Sequence, residues 1–136
     1  VRAAFVTAIP GLGPLLESVK ARSKNDTLKA LDGRILHLQG KQHAALNYLL
    51  QSAGAIVCKN WVVESYRKID LELRLDIDYT PLGYVHDEIQ VAVSPVEVDT
   101  VERILTESIV TVGESFNLNV PLASEAKHGS SWADCH

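Results

Sequence analysis

The period of apolar and polar positions changes several times along this chain, and the changes divide it into elements. After the Pro10-Gly11 breaker, Leu12, Leu15, Leu16 and Val19 recur at helical spacing and predict a short amphipathic helix to about Ser23. Leu28 to Ala30 and Ile35 to Leu38 then flank Asp32-Gly33, a strong hairpin signal because glycine accepts positive φ. Arg34 leaves that turn with its side chain exposed. From His43 to about Lys68 there is no proline, and Leu46, Leu49, Leu50, Ala53, Val57 and Trp61 make one apolar face of the longest helix.

Residues 69 to 79 alternate acidic and apolar positions and predict a solvent-facing strand edge, which the alternation with Leu75 and Ile77 favours over a metal pair at Asp76 and Asp78. Tyr84-Val85 and the alternation Ile89, Val91, Val93 predict a second hairpin, with Asp87 and Glu88 at or next to its tight turn. Ser94-Pro95-Val96-Glu97 has the layout of a capping box. It heads a helix to about Phe116 that buries Val98, Val101, Ile104, Leu105, Ile109 and Val112. Leu118, Val120 and Leu122 alternate as an edge strand carrying Pro121. The tail from Ala126 to His136 is irregular and anchored by Trp132. The order predicts an α+β fold with a small antiparallel sheet and packed helices, in a single domain.

At 136 residues and 46% hydrophobic content the chain can bury a core. No apolar run approaches the roughly 18 residues of a membrane span, and the first residues lack a secretory layout. The expectation is an intracellular, cytoplasmic protein. Two cysteines without C-x-x-C spacing predict neither a zinc site nor a disulfide framework, and Cys58 reads as a small buried hydrophobe. A chain that begins with Val1 and contains no methionine reads as a fragment truncated at its N-terminus.

Charge is uneven. Residues 1 to 42 carry seven basic and three acidic side chains, net +4, whereas residues 43 to 136 carry six and fourteen, net −8. That division fits a protein that touches phosphates with one part and holds cations with another, and it also fits ordinary solvated faces.

Two constellations offer chemistry. His86, Asp87 and Glu88 are adjacent at a turn that would hold carboxylates rigidly by their backbone, as a hard cation such as Mg²⁺ requires. A merely polar turn is the simpler account of these residues taken alone. His43, Asn47 and Gln51 stand at i, i+4 and i+8, stacked in a stripe without Lys or Glu. Amides and imidazole suit the reading of base edges, while a hydrogen-bonded solvent face is the alternative.

Together these pieces resemble the C-terminal end of a family A DNA polymerase, nearer to the bacteriophage replicative enzymes than to bacterial DNA polymerase I. The resemblance rests on Leu31-Asp32-Gly33-Arg34, on His43-Ala44-Ala45-Leu46-Asn47 with Leu50 to Ala55, on Val85-His86-Asp87-Glu88-Ile89-Gln90-Val91, and on the closing Trp132 to His136. Ile9-Pro10-Gly11-Leu12 is a looser match to the segment after the fingers.

The resemblance implies a palm portion, with residues 1–27 a remnant following the fingers and 28–136 the palm elements. It implies Asp87 as a metal ligand, one of two carboxylates that bind a pair of Mg²⁺ ions about 4 Å apart, which activate the primer 3′-hydroxyl and stabilise the leaving pyrophosphate. Glu88 would support the site and His86 would lie near the primer end. Asn47 and Gln51, with His43 and Arg34, would contact primer-template DNA, the first two through acceptors common to all base pairs in the minor groove. His43 stands where bacterial DNA polymerase I has arginine.

The family's other metal-binding aspartate and the fingers helix that grips the deoxynucleoside triphosphate have no counterpart in residues 1 to 42. The expected partners are therefore DNA, nucleotide, and a companion polymerase chain or a missing N-terminal region. Former interface residues around Phe5, Val6 and Ile9 would be left uncovered. A non-catalytic module that binds duplex DNA or docks on a partner is the competing expectation, and a metal-dependent phosphohydrolase a third.

Overall fold

The computed structural model describes residues 6–135. It divides into two compact units, Val1–Gly54 and Ala55–His136. The charge division follows the same boundary, because residues 43–54 carry no Lys, Arg, Asp or Glu.

In the first unit, α1 (Leu12–Arg22) starts after Gly11, which adopts φ 84. A 3₁₀ turn (Ser23–Asn25) leads into β1 (Thr27–Lys29), which pairs antiparallel with β2 (Ile35–His37). Gly33 takes φ 88 in the connecting turn, the conformation for which the Asp-Gly signal was diagnostic. Leu28 is opposite Leu36, and both face the core formed with Val19, Leu38 and Ala45. Asp26 clips the open end of this hairpin. Its carboxylate accepts hydrogen bonds from the Gly40 N–H (2.7 Å) and the Gln42 side-chain amide (3.0 Å), and its carbonyl accepts from the Leu38 N–H (2.9 Å).

Helix α2 (Ala45–Glu72) begins in this unit and ends in the second. Its buried positions do not form the single face that the sequence predicts. Ala45 serves the first core, whereas Ile56, Trp61, Ser65 and Ile69 are buried further along, and Leu50 is 60% exposed. A helix that serves two cores in turn has no common apolar stripe.

The second unit adds β3 (Tyr79–Val85), β4 (Glu88–Val93), α3 (Val98–Ser115) and the short α4 (Trp132–Cys135). Strands β3 and β4 form an antiparallel hairpin whose register shifts between Pro81 and Gly83, leaving Leu82 as the extra residue of a bulge. Ile69, Leu73, Tyr79, Val101 and Ile104 form the core, with Tyr66, Val91, Val93 and Leu105 packed against it. Among the described residues there are thus two separate two-stranded sheets, one in each unit, not one small sheet.

Five local expectations are corrected. Residues 69–72 belong to α2, and Ile69 is fully buried, because Tyr66, Ile69 and Leu73 also fit a helical repeat that tertiary packing selects. The segment after α2 is a turn held by Asp78, whose carboxylate binds the Arg74 N–H (2.9 Å) and guanidinium (2.8 Å). Ser94–Glu97 is likewise a turn before the helix, closed by the Glu97 N–H on the Ser94 carbonyl (2.8 Å), and no side chain caps α3. Pro95 suits the second position of such a turn as well as a first helical position.

Residues 118–122 form no strand, since no ladder partner meets them and Pro121 has no N–H to offer. Leu122 packs on Gly113 instead. Trp132 is 64% exposed on α4 and does not anchor the tail in a core. Cys58 is half-buried rather than buried. Ile9 is exposed, whereas Phe5 and His136 lie outside the described residues.

Candidate active-site hairpin and polar helix face

The β3–β4 hairpin presents the first constellation. Val85 pairs with Glu88, so His86 and Asp87 alone make the turn. A two-residue hairpin needs positive φ at its first central position to match the strand twist, and His86 supplies it with φ 56. Histidine is one of the few non-glycine residues enriched there. Asp87 is exposed at the tip, held by a rigid turn with its side chain open to solvent. Glu88 begins β4, half-buried, and its carboxylate accepts a hydrogen bond from the Gln90 amide at 2.9 Å. Gly83, opposite Gln90, leaves room for that side chain to lie across β3.

Behind the tip, the Tyr84 hydroxyl lies beside the Cys58 thiol on α2. Burial pushes the Cys58 thiol above its usual range, and the negative charge of Asp87 adds to the push. The Tyr84 hydroxyl is also raised, by burial first, then by the neighbouring Cys58, and least by Asp87. Nothing in the sequence joins Cys58 to the hairpin, since the contact arises only when α2 packs behind β3.

Asp87 and Glu88 offer carboxylate oxygens, the hard donors that suit Mg²⁺. Among the described residues, however, no three His, Cys, Asp or Glu side chains gather into a metal-binding group. The donors present fit one side of a Mg²⁺ site. The rest of an octahedral shell would come from water, phosphate or a further carboxylate.

The second constellation lies in the first unit. His43 sits in a 3₁₀ turn (Gln42–Ala44) ahead of α2, while Asn47 and Gln51 are on the helix, and all three are exposed. Arg34, at the β1–β2 turn, is exposed but not free. Its Nε donates to Asp32 at 2.7 Å, and the pairing holds the Asp32 carboxyl below the usual range. The structure thus sets His86 and Asp87 in one turn with Glu88 next to it at the start of β4, and sets His43, Asn47, Gln51 and Arg34 on the surface of the other unit.

The fold is a mixture of small antiparallel hairpins and packed helices. It matches the polymerase domain of Pol1 from M. smegmatis, solved in complex with DNA primer-template and dNTP, with a TM-score of 0.69 and 23% identity over 79% of this chain and 21% of that one. Residues 15–134 match the family described as DNA polymerase family A, and this chain belongs to that family. It is 40% identical to the DNA-directed DNA polymerase of Enterobacteria phage T3 and 39% identical to that of Escherichia phage T7, over 83% of its length. The polymerase of Escherichia phage Phieco32 is 30% identical across the whole chain. The chain spans only 16% of the T3 and T7 enzymes and 23% of the Phieco32 enzyme. Among the described residues, no helix is long and apolar enough to cross a membrane.

Proposed function

We propose that this chain supplies the C-terminal palm portion of a DNA-directed DNA polymerase, with Asp87 as a ligand of catalytic Mg²⁺. The observation that carries the reading is the two-residue turn that fixes Asp87 at an exposed tip directly before Glu88. Mg²⁺, when bound, would acidify the primer hydroxyl and stabilise charge on the departing pyrophosphate. Asp87 would hold it from one side, Glu88 would add negative charge beside it, and His86 would lie by the primer end. Asn47 and Gln51 would donate to minor-groove acceptors shared by all base pairs, with His43 and Arg34 on the adjoining backbone. Primer-template DNA and deoxynucleoside triphosphates are then the substrates, in the cytoplasm of a host cell if the source is a phage. A second carboxylate and the nucleotide-gripping helix would come from a companion chain or an N-terminal region of the same polymerase.

Mixing the chain with a polypeptide that carries those parts is expected to restore Mg²⁺-dependent primer extension, and Asp87→Ala to abolish it. Extension by the mixture that survives Asp87→Ala overturns the assignment. A second reading, a non-catalytic DNA-binding module, is favoured by the lack of a three-ligand cluster among the described residues. DNA affinity that ignores Mg²⁺, with no extension in any mixture, would select it.

A further inference from the structure

Cations are treated differently in the two units. In the second, Arg67 and Lys68 pair with Glu64, Arg74 with Asp78, and Arg103 with Glu72 and Glu107, and of its lysines and arginines only Lys59 and Lys127 form no ion pair among the described residues. In the first, Arg34 pairs with Asp32, but Lys20, Arg22, Lys24, Lys29 and Lys41 are exposed and form no ion pair among the described residues. Lys20 and Arg22 lie in the last turn of α1, where they complement the helix dipole. Lys24, Lys29 and Lys41 have no such local role.

Their placement follows from the hairpin. The register sets Lys29 opposite Ile35 and Thr27 opposite His37, so these four share the face turned away from Leu28 and Leu36. The Asp26 clip ties the turn after Lys24 to the turn before Lys41, bringing both lysines to the open end of the same hairpin. Asp26 itself is committed to Gly40 and Gln42, and Asp32 to Arg34, so neither is free to neutralise the lysines. The result is a short ribbon with lysines at its base and beside its turn, where Lys29 Cε lies near Gly33, and an exposed imidazole and an aliphatic side chain along the same face.

We infer that this outer face binds a single strand of nucleic acid, with Lys24, Lys29 and Lys41 on backbone phosphates and His37 and Ile35 against bases and sugars. Cations interleaved with a ring and apolar surface suit unstacked bases, which an acidic peptide would not supply. The inference rests on the polymerase reading for its choice of partner, and it names a face separate from the Asn47 and Gln51 stripe.

The test measures binding of the 136-residue chain to a fluorescent oligo-dT across a salt series, with a chelator present so that no chemistry occurs. For Lys24→Ala/Lys29→Ala/Lys41→Ala, the slope of log K against log salt is expected to fall by about 2, at roughly 0.7 per lost phosphate contact. The corresponding triple Lys→Arg variant should keep the wild-type slope. If the triple alanine variant melts early, the three single Lys→Ala variants, each losing about 0.7, answer the same question. An unchanged slope on oligo-dT overturns the inference, including the case in which only polyglutamate binding falls. It would leave the catalytic reading standing, whereas failed extension in the mixing experiment would leave this slope intact.

Discussion

Trp61 donates its indole N–H to the carbonyl oxygen of Leu105 at 2.8 Å, joining α2 to α3 across 44 positions of sequence. The indole is buried, so it contributes both area and a hydrogen bond that water cannot replace. Trp61→Phe should keep most of the packing and cost about 1 kcal/mol for the lost hydrogen bond, because the Leu105 carbonyl keeps its partner within the helix, while Trp61→Ala should cost about 3–5 kcal/mol. Urea unfolding of the two variants checks this. A Trp61→Phe variant as stable as the wild type would mean that the hydrogen bond adds nothing to the packing.

Tyr79 makes the corresponding tie between hairpin and helix. Its ring stacks on Tyr66 with centroids 6.2 Å apart, and its hydroxyl donates to Asp70. Burial, reinforced by the Asp70 carboxylate, pushes the Tyr79 hydroxyl up to about 12. An acid whose pKa is raised on folding loses its proton first in the unfolded chain. Its stabilising contribution is therefore complete below pH 10 and is lost as pH rises towards 12. The melting temperature of the wild type should fall across that window, and Tyr79→Phe should fall less steeply. Parallel curves for the two proteins would remove Tyr79 as the cause.

What was legible in the sequence was local. The Asp32-Gly33 turn and the turn carrying His86 and Asp87 are each specified by a few neighbouring residues, so both hairpins and the position of Asp87 could be read directly. Residues 69–72 could not, because Asp70, Leu71, Glu72 and Leu73 satisfy periods of two and of 3.6, and only packing against Val101 and Ile104 decides for helix. Leu118 to Leu122 alternate like a strand but lack a neighbour to pair with. The contact of Cys58 with Tyr84 joins positions 26 residues apart through a fold that no local pattern announces.

His86 carries two roles that mutation can separate. Its φ of 56 serves the turn, and its imidazole is proposed to lie near the primer end. His86→Gly should leave stability within about 1 kcal/mol of wild type, because glycine adopts that φ without strain. His86→Val places a β-branched residue in the left-handed region and should cost about 1–3 kcal/mol. In the reconstituted polymerase, a purely conformational residue would leave His86→Gly active and His86→Val impaired. Equal loss in both, with the Gly variant as stable as wild type, would assign the effect to the imidazole.

Gly113 tests how firmly the segment after α3 is seated. A Cβ there would stand 3.1 Å from Leu122 Cγ and 3.3 Å from its Cδ1, inside normal contact. Replacing a helical glycine with alanine ordinarily stabilises by about 1 kcal/mol. Here the gain competes with displacement of Leu122, so Gly113→Ala alone should be close to neutral. Removing the obstruction should reveal the gain, so that in a Leu122→Ala background the same change stabilises by about 1 kcal/mol. The double-mutant cycle measures this coupling by thermal or urea unfolding. Coupling near zero would mean that residues 118–122 move aside freely and that Leu122 does not hold the tail against α3.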